Sequence, residues 1–234
     1  MQVVILAGGL ATRLRPKILT IPKSMVKILG KPFLEYQLNQ LINQGIKDIV
    51  LCTGYMGDQI EEYFGDGSRF GVEIKYSREK DFLLGTAGAL KKAELLLKDE
   101  FFVMYGDSYL QVDFWQTEKY FHRFKKKALM IVYCNYDQFD KSNVEVEGNL
   151  VKVYSKTSKT QNMVYIDYGL LLFKKSVLKF IPAGQAYPLE EILVAMVNQK
   201  ELLAYEVDKR FYEIGSLKGL QEFEKMIERG DFTK

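Results

Sequence analysis

Residues 3–16 read "VVILAGGLATRLRP". Val3-Val4-Ile5-Leu6 is apolar without alternation, the pattern of a strand buried on both faces, and such strands belong to parallel sheets covered by helices. The run breaks at Ala7-Gly8-Gly9, and Thr12, Arg13 and Arg15 follow. In open α/β sheets ligands collect beyond the carboxyl ends of the strands, which is where this loop falls. Glycines let a backbone approach a ligand closely, and successive amides in such a turn form a concave anion site. Arginine adds planar, multi-donor contacts to phosphate oxygens. A tight turn with two surface arginines would also explain these residues. The spacing fits neither G-x-G-x-x-G nor G-x-x-x-x-G-K-[ST], so neither a dinucleotide site nor a P-loop ATPase is supported.

Working outward, "PFLEYQLNQLINQGI" predicts a helix with Leu34, Leu38, Leu41 and Ile42 on one face and Gly45 after its end. "DIVLCTGY" predicts a second buried strand, residues 56–64 a short helix, and "VEIKYS" a strand. "GTAGALKKAELLL" predicts a helix with Ala89, Ala93, Leu96 and Leu97 on one side. "EFFVMYGD" is a strand ending in a glycine and an acid, "FWQTEKYFHRF" a helix and "ALMIVYCNY" a strand. Strands alternating with helices imply parallel pairing through crossovers. After about residue 136 the pattern changes to antiparallel hairpins: "NVEVEGNLVKVYS" turns at Glu147-Gly148-Asn149, and "MVYIDYGLLLF" follows. "PLEEILVAMVNQ", "LLAYEV" and "SLKGLQEFEKMIERG" then read helix, strand, helix. The expected fold is α/β, doubly wound, with a mostly parallel but mixed sheet. One domain is expected over residues 1–234, with a nucleotide half at about 1–135 and a substrate half at about 136–234.

The composition agrees with this. The chain has 234 residues, 47% hydrophobic and 27% charged, and a chain this long buries roughly 70–75% of its unfolded surface. A net charge of +3, spread along the sequence, leaves no nucleic-acid footprint, and the short lysine runs read as solvated faces. Cys52 and Cys134 lie inside apolar runs, without CxxC spacing, and read as reduced buried thiols. The first apolar run is too short for a signal peptide, and no run reaches membrane-span length. The expected location is the cytoplasm.

"LTIPKSMVKILGKPFLEY" continues the loop: Pro22 fixes the backbone before Lys23, which could reach the same phosphates. "LAGGLATRLRP…IPKSM…GKPFLEY" resembles the signature of sugar-1-phosphate nucleotidyltransferases, usually L-A-G-G-x-G-T-R-L-x-P, then P-K-P-M, then G-K-P. "GTAGAL" at 85–90, "GD" at 106–107, "YGLLLF" at 168–173 and "YEIGS" at 212–216 follow in family order. Ala11 stands for a glycine, Ser24 for the second proline, and Glu213 for the usual Asp. The C-terminal left-handed β-helix of longer members is not found, so the chain looks like the short members. "GKPFLEY" and "LLGTAGAL" lean towards the heptose and mannose guanylyltransferases.

The resemblance implies a Rossmann-like fold and a reaction joining an NTP and a sugar 1-phosphate into an NDP-sugar and pyrophosphate. The nucleophile is a phosphate oxygen, ionised at neutral pH, so no general base is required; this suits a chain with one histidine, His122. The demand is electrostatic and positional. Arg13, Lys23 and Asp107 are the implied catalytic residues, with Mg2+ held by Asp107 and Glu213. Leu6, Ala7, Gly8, Gly9, Thr12, Arg13 and Lys23 are implied on the nucleotide, with Gly85 and Thr86 at a helix start and Glu79 at the base edge. Gly106, Lys156, Asp167 and Gly169 face the sugar phosphate, with Lys159 competing for Lys156's role. GTP with a heptose or mannose 1-phosphate, for cell-surface glycan precursors, is the leading substrate pair. UTP, dTTP or CTP and another sugar phosphate or phosphocholine remain open. So does a non-catalytic nucleotide-binding regulator, supported by Ala11 and Glu213. A glycosyltransferase of the related fold would carry Asp-x-Asp where this chain has Asp107-Ser108-Tyr109. Neither nucleic acid nor membrane is an expected partner, and a homodimer is left open.

Overall fold

The computed structural model describes residues 1–9, 21–80 and 82–230. The expectations for Ala11, Thr12, Arg13 and Arg15 lie outside the described residues. In chain order the elements are β1 (Gln2–Leu6), β2 (Lys27–Ile28), β3 (Lys31–Pro32), α1 (Phe33–Asn43), β4 (Asp48–Thr53), α2 (Gly57–Phe64), β5 (Glu73–Arg78) and α3 (Gly85–Lys92). They continue with β6 (Glu100–Tyr105), β7 (Ser108–Tyr109), α4 (Phe114–Phe121), β8 (Ala128–Cys134), β9 (Val144–Glu147), β10 (Leu150–Tyr154) and β11 (Tyr165–Lys174). Last come α5 (Leu189–Asn198), β12 (Leu202–Val207), β13 (Tyr212–Glu213) and α6 (Leu217–Glu228). The protein is α/β with a mixed sheet, as the apolar runs and hairpins predict.

The chain gathers into two compact units. One comprises Met1–Leu83, Met104–Gln111 and Phe211–Lys234, the other Leu84–Val103 and Val112–Arg210. In the first, β1, β4 and β5 are parallel and run in step, from Gln2 opposite Asp48 and Asp48 opposite Glu73 to Leu6 opposite Cys52 and Thr53 opposite Arg78. Because the register is level, the residues after each strand share one edge. The apolar face of α1 is as predicted at Leu34, Leu38 and Leu41, but Ile42 is only half-buried and Gln37 and Gln40 are buried instead. Phe33, Tyr36, Tyr109, Ile214, Phe223 and Met226 form a core in this unit. Three rings meet Phe223 at 5.1–5.5 Å between centroids (Phe33, Tyr36 and Tyr109). This core fastens α6 and the β7–β13 ribbon to α1.

In the second unit the strand order is β6-β11-β8-β12-β10-β9, with β9 also touching β11. Only β8 and β12 pair in parallel among the four pairings β11–β8, β8–β12, β12–β10 and β10–β9. The parallel expectation holds for β1, β4 and β5; β8, expected in the same parallel series, pairs antiparallel with β11 and parallel with β12, and the hairpin expectation after about residue 136 holds for β9 and β10. The turn between β9 and β10 is the predicted Gly148-Asn149, with Gly148 at φ +61°. Two helices end earlier than predicted. α3 stops at Lys92 and the chain tightens to a 3-10 turn, Glu94–Leu96, which returns Leu97 to the core and leaves Leu95 97% exposed. α4 stops at Phe121 and continues as i→i+3 turns to Phe124. Among the described residues no helix is long and apolar enough to cross a membrane.

Candidate active site

The level strand ends of the first unit bring Gly8, Gly54, Glu79 and Asp107 to one edge, after β1, β4, β5 and β6. The loop after β1 is pinned by Ala7 N–H donating to the Cys52 carbonyl at 2.8 Å and Gly106 N–H donating to the Leu6 carbonyl at 3.0 Å. Glu79 lies over the glycines: a Cβ placed on Gly8 or on Gly54 would come within 2.9 Å of Glu79 Oε2. The absence of side chains at these two positions admits the carboxylate, and beside it opens a pocket of about 560 Å3 lined by Tyr55, Met56, Phe82 and Leu83. That volume lies in the range of small-molecule sites. Arg78, on the rim, is held by Asp58 through its two terminal guanidinium nitrogens. Burial, and then the charge of Glu79, pushes the Cys52 thiol at the end of β4 up to about 12.

Asp107 follows β6 and its carbonyl accepts from Ile214 N–H at 2.9 Å. The adjacent ribbon pairs Glu213 with Ser108 and Tyr212 with Tyr109. Antiparallel pairing thus brings the "GD" and "YEIGS" motifs side by side, although about a hundred residues separate them. Lys23 sits in the 3-10 turn Lys23–Met25, and its Nζ lies 2.5 Å from Asp107 Oδ2. Glu213 takes both oxygens inward: Oε2 accepts from Gly215 N–H and Oε1 from the Ser216 hydroxyl at 2.6 Å. Ser216 is the N-cap of α6 and its Oγ accepts from Gly219 N–H at 3.0 Å. A Cβ on Gly215 would lie 2.6 Å from Glu213 Oε2 and 2.8 Å from Lys23 Nζ. Gly215 therefore keeps open the space where the Lys23 ammonium and the Glu213 carboxylate converge. Among the described residues no three acidic, histidine or cysteine side chains gather as a metal cluster.

Sequence reading missed the support under Asp107. Gln37 Nε2 donates to the carbonyls of Tyr105 (2.9 Å) and Ser108 (2.8 Å), and Gln40 Nε2 to that of Leu110. Buried amides need partners, so two glutamines on the apolar side of a helix, among Leu34, Leu38 and Leu41, were the available signal.

In the second unit, Asp167 Oδ1 accepts from Gly169 N–H at 3.0 Å and Oδ2 from the Tyr154 hydroxyl at 3.3 Å. Gly169 has φ +90°, and the β11–β8 register shifts between Asp167 and Leu171, so the Asp-x-Gly pair marks an irregular strand. Burial foremost, then the charges of Asp167 and Glu190, raises the Tyr154 phenol far above its usual range. Lys156 N–H donates to Glu190 Oε1 at 3.0 Å, whereas Lys159 is held by Asp137. Gly85 and Thr86 open α3, and Thr86 Oγ1 accepts from Leu189 N–H.

Glycines, a lysine and acids collected beyond the ends of the strands place the protein among the α/β proteins that take their ligands at that edge of the sheet. Residues 2–230 match the family model described as nucleotidyl transferase. The chain belongs to this nucleotidyl transferase family. It is 34% identical over 216 residues to a D-glycero-alpha-D-manno-heptose 1-phosphate guanylyltransferase of Campylobacter jejuni, covering 92% of this chain and 95% of that protein. It is 33% identical to the catalytic subunit beta of a mannose-1-phosphate guanylyltransferase from Danio rerio, covering 93% of this chain but spanning only 62% of that longer protein. A crystal structure of HddC from Yersinia pseudotuberculosis, complexed with GMP-PN, superposes with TM-score 0.79 over 97% of this chain and 99% of that one. At 24% identity that likeness speaks for the fold.

Proposed function

We propose that the protein transfers a guanylyl group from GTP to a heptose or mannose 1-phosphate, releasing pyrophosphate. The observation that carries this reading is the near end-to-end match to the Campylobacter guanylyltransferase. Glu79 supports the choice of base. Its carboxylate, against Gly8 and Gly54 beside the pocket, accepts hydrogen bonds only. Guanine offers adjacent N–H donors on its Watson–Crick edge, whereas uracil and thymine offer one donor between two carbonyls.

The sugar phosphate oxygen is already an anion, so the protein's task is to hold two polyanions in line and to offset the charge that develops on the leaving pyrophosphate. Lys23 supplies positive charge beside Asp107, and Arg13 is assigned the same task on the triphosphate. The residues present fit a divalent ion: Asp107 and Glu213 are hard oxygen donors on adjoining ribbon ends, the Glu213 oxygens also accepting from Gly215 N–H and the Ser216 hydroxyl, and a cation, the Lys23 ammonium, is already drawn to Asp107. Mg2+ is usually held by one or two carboxylates together with substrate phosphates. Bound there, Mg2+ would neutralise phosphate charge. Lys156, Asp167 and Gly169 take the sugar-phosphate side, and the cytoplasm, where GTP is abundant, is the assigned compartment.

The test is a panel of NTPs against sugar 1-phosphates, read as released pyrophosphate. GTP with a heptose or mannose 1-phosphate should give the highest kcat/KM. Preference for UTP or dTTP would overturn the assignment of Glu79 to guanine, and no release with any pair would overturn the activity.

A further inference from the structure

Two helices of the second unit begin at one place. Tyr187 N–H donates to the Leu84 carbonyl at 2.7 Å, and Ala87 and Gly88 N–H donate to the Tyr187 carbonyl at 3.0 and 3.1 Å. The amides that open α3, which have no partner within their own helix, are thus taken up by the chain leading into α5. A Cβ on Gly85 would come within 3.0 Å of the Tyr187 carbonyl oxygen, and one on Gly88 within 3.0 Å of that of Gln185. Both glycines of the Gly-Thr-Ala-Gly motif therefore let residues 185–187 cross the start of α3. Pro188 provides no side-chain cap for α5. Thr86 provides one from outside, accepting from Leu189 N–H at 2.8 Å.

The next residue is Glu190. Its Oε1 accepts from the backbone N–H of Lys156 at 3.0 Å. Lys156 leaves β10 in a turn that Ser155 Oγ fastens by accepting from Ser158 N–H at 3.0 Å and Thr157 N–H at 3.3 Å. The Lys156 residue is exposed, and its main chain is held by Glu190. The motif assigned to the nucleotide and the lysine assigned to the sugar phosphate are joined by Thr86, Leu189 and Glu190.

We propose that Glu190 is a positioning residue for the sugar 1-phosphate: seated by the Thr86 cap on α5, its carboxylate holds the Lys156 backbone so that the Lys156 amine meets the phosphate. This rests on the nucleotidyl-transfer reading for its substrate and on the geometry alone for its relay.

The test uses Glu190→Ala and Glu190→Gln, with Thr86→Val and Thr86→Ser. Gln and Ser keep an acceptor oxygen; Ala and Val remove it. With GTP and D-glycero-α-D-manno-heptose 1-phosphate, Glu190→Ala should raise KM for the sugar phosphate roughly tenfold, the worth of one hydrogen bond, and leave KM for GTP unchanged; Thr86→Val, at a residue also assigned to the nucleotide, should raise KM for the sugar phosphate as well. Glu190→Gln should keep KM for the sugar phosphate near the wild-type value, and Thr86→Ser should lie closer to it than Thr86→Val. Equal damage from Glu190→Gln and Glu190→Ala would overturn the proposal, because the charge would then act directly. A parallel rise in both KM values for Glu190→Ala would overturn it too, since that is general loss of structure. Amide hydrogen exchange at Lys156 in the free protein is independent of activity: it should be slow in wild type and Glu190→Gln and fast in Glu190→Ala and Thr86→Val. Slow exchange in all four variants would overturn the relay, whereas a wild type that releases no pyrophosphate would overturn the activity and leave the exchange result standing.

Discussion

Lys23 Nζ lies 2.5 Å from Asp107 Oδ2, with the two side chains 15% and 38% exposed. The pair joins the lysine of "IPKSM" to the acid of "GD" across 84 residues of sequence. On the proposed function it sets two positive charges, the ammonium and an incoming divalent ion, in competition for one carboxylate. Removing the ammonium should therefore raise affinity for the metal while removing charge needed for turnover. For Lys23→Met, Mn2+ binding without nucleotide, followed by calorimetry or electron paramagnetic resonance, should tighten roughly tenfold. kcat should fall roughly 10²–10³-fold, as for loss of one electrostatic stabiliser. Unchanged Mn2+ affinity would show that Lys23 does not compete for Asp107.

Asp107→Ala should lose turnover with the fold retained. The carboxylate is partly exposed and its loop is held by main-chain bonds to Ile214 and by Gln37, none of which uses the Asp107 side chain. The expected loss is at least roughly 10²-fold in kcat, with circular dichroism and melting near wild type. Near-wild-type pyrophosphate release at saturating Mg2+ would remove Asp107 from the reaction.

Gln37→Leu tests the support beneath that loop. Gln37 is fully buried, and its amide serves two carbonyls on either side of Asp107. An orphaned buried acceptor costs about 1–3 kcal/mol, so urea denaturation should show a loss of about 2–4 kcal/mol, and kcat should fall because Asp107 is no longer held. Full stability with reduced kcat would mean that water replaces the amide.

The strand framework was legible because apolar runs without alternation, such as residues 3–6 and 49–52, have few other uses in a chain with punctuating glycines. The hairpin at Gly148-Asn149 was legible from alternation on both sides of a turn. The site was legible only where motifs lie at strand ends. Glu213 was read as a metal arm from its place in "YEIGS", yet its contacts with Gly215 and Ser216 depend on ribbon pairing that no local pattern records. The Glu190 link to Lys156 likewise joins residues 34 positions apart. The end of α3 was misread because Leu95-Leu96-Leu97 supplies apolar residues to any helical face, and the tighter turn selects Leu97 alone for burial.

The Cys52 thiol, pushed up to about 12 by burial and by Glu79, gives a pH dependence. A raised folded pKa favours the neutral form, so its stabilisation is complete below the unfolded value of about 8.5. It is lost as pH rises from there to the folded value, where the unfolded thiol ionises and the folded one does not. Wild type should lose more stability between pH 9 and about 12 than Cys52→Ala does. Parallel stability curves for the two proteins would show the thiol to be solvated. Native Cys52 should also resist alkylation at pH 8 until the protein unfolds.

Gly219 lies within α6, where alanine is ordinarily about 1 kcal/mol better than glycine. Here the sign should reverse. A Cβ on Gly219 would run into the Glu213 carboxylate and the Glu213 carbonyl oxygen. The carboxylate can swing away, but the carbonyl belongs to the ribbon paired with Ser108 and cannot. Overpacking of this kind costs about 1–3 kcal/mol, which outweighs the propensity gain, so Gly219→Ala should melt lower than wild type. Glu213→Asp should also melt lower, because the shorter arm gives up its bonds to Gly215 and Ser216, worth about 1 kcal/mol each. Combining the two should cost less than the sum, since the shorter acid frees the side-chain part of the clash but not the carbonyl part. Pyrophosphate release against Mg2+ concentration separates the cap from the metal. If Glu213 only caps α6, Glu213→Asp should shift melting and leave the Mg2+ curve unmoved. If it also reaches the ion, the Mg2+ requirement should rise, because Mg2+ demands near-ideal octahedral geometry. On the proposed function the second outcome is expected, and a lowered melting temperature with superimposable Mg2+ curves would leave Asp107 as the sole protein carboxylate on the metal.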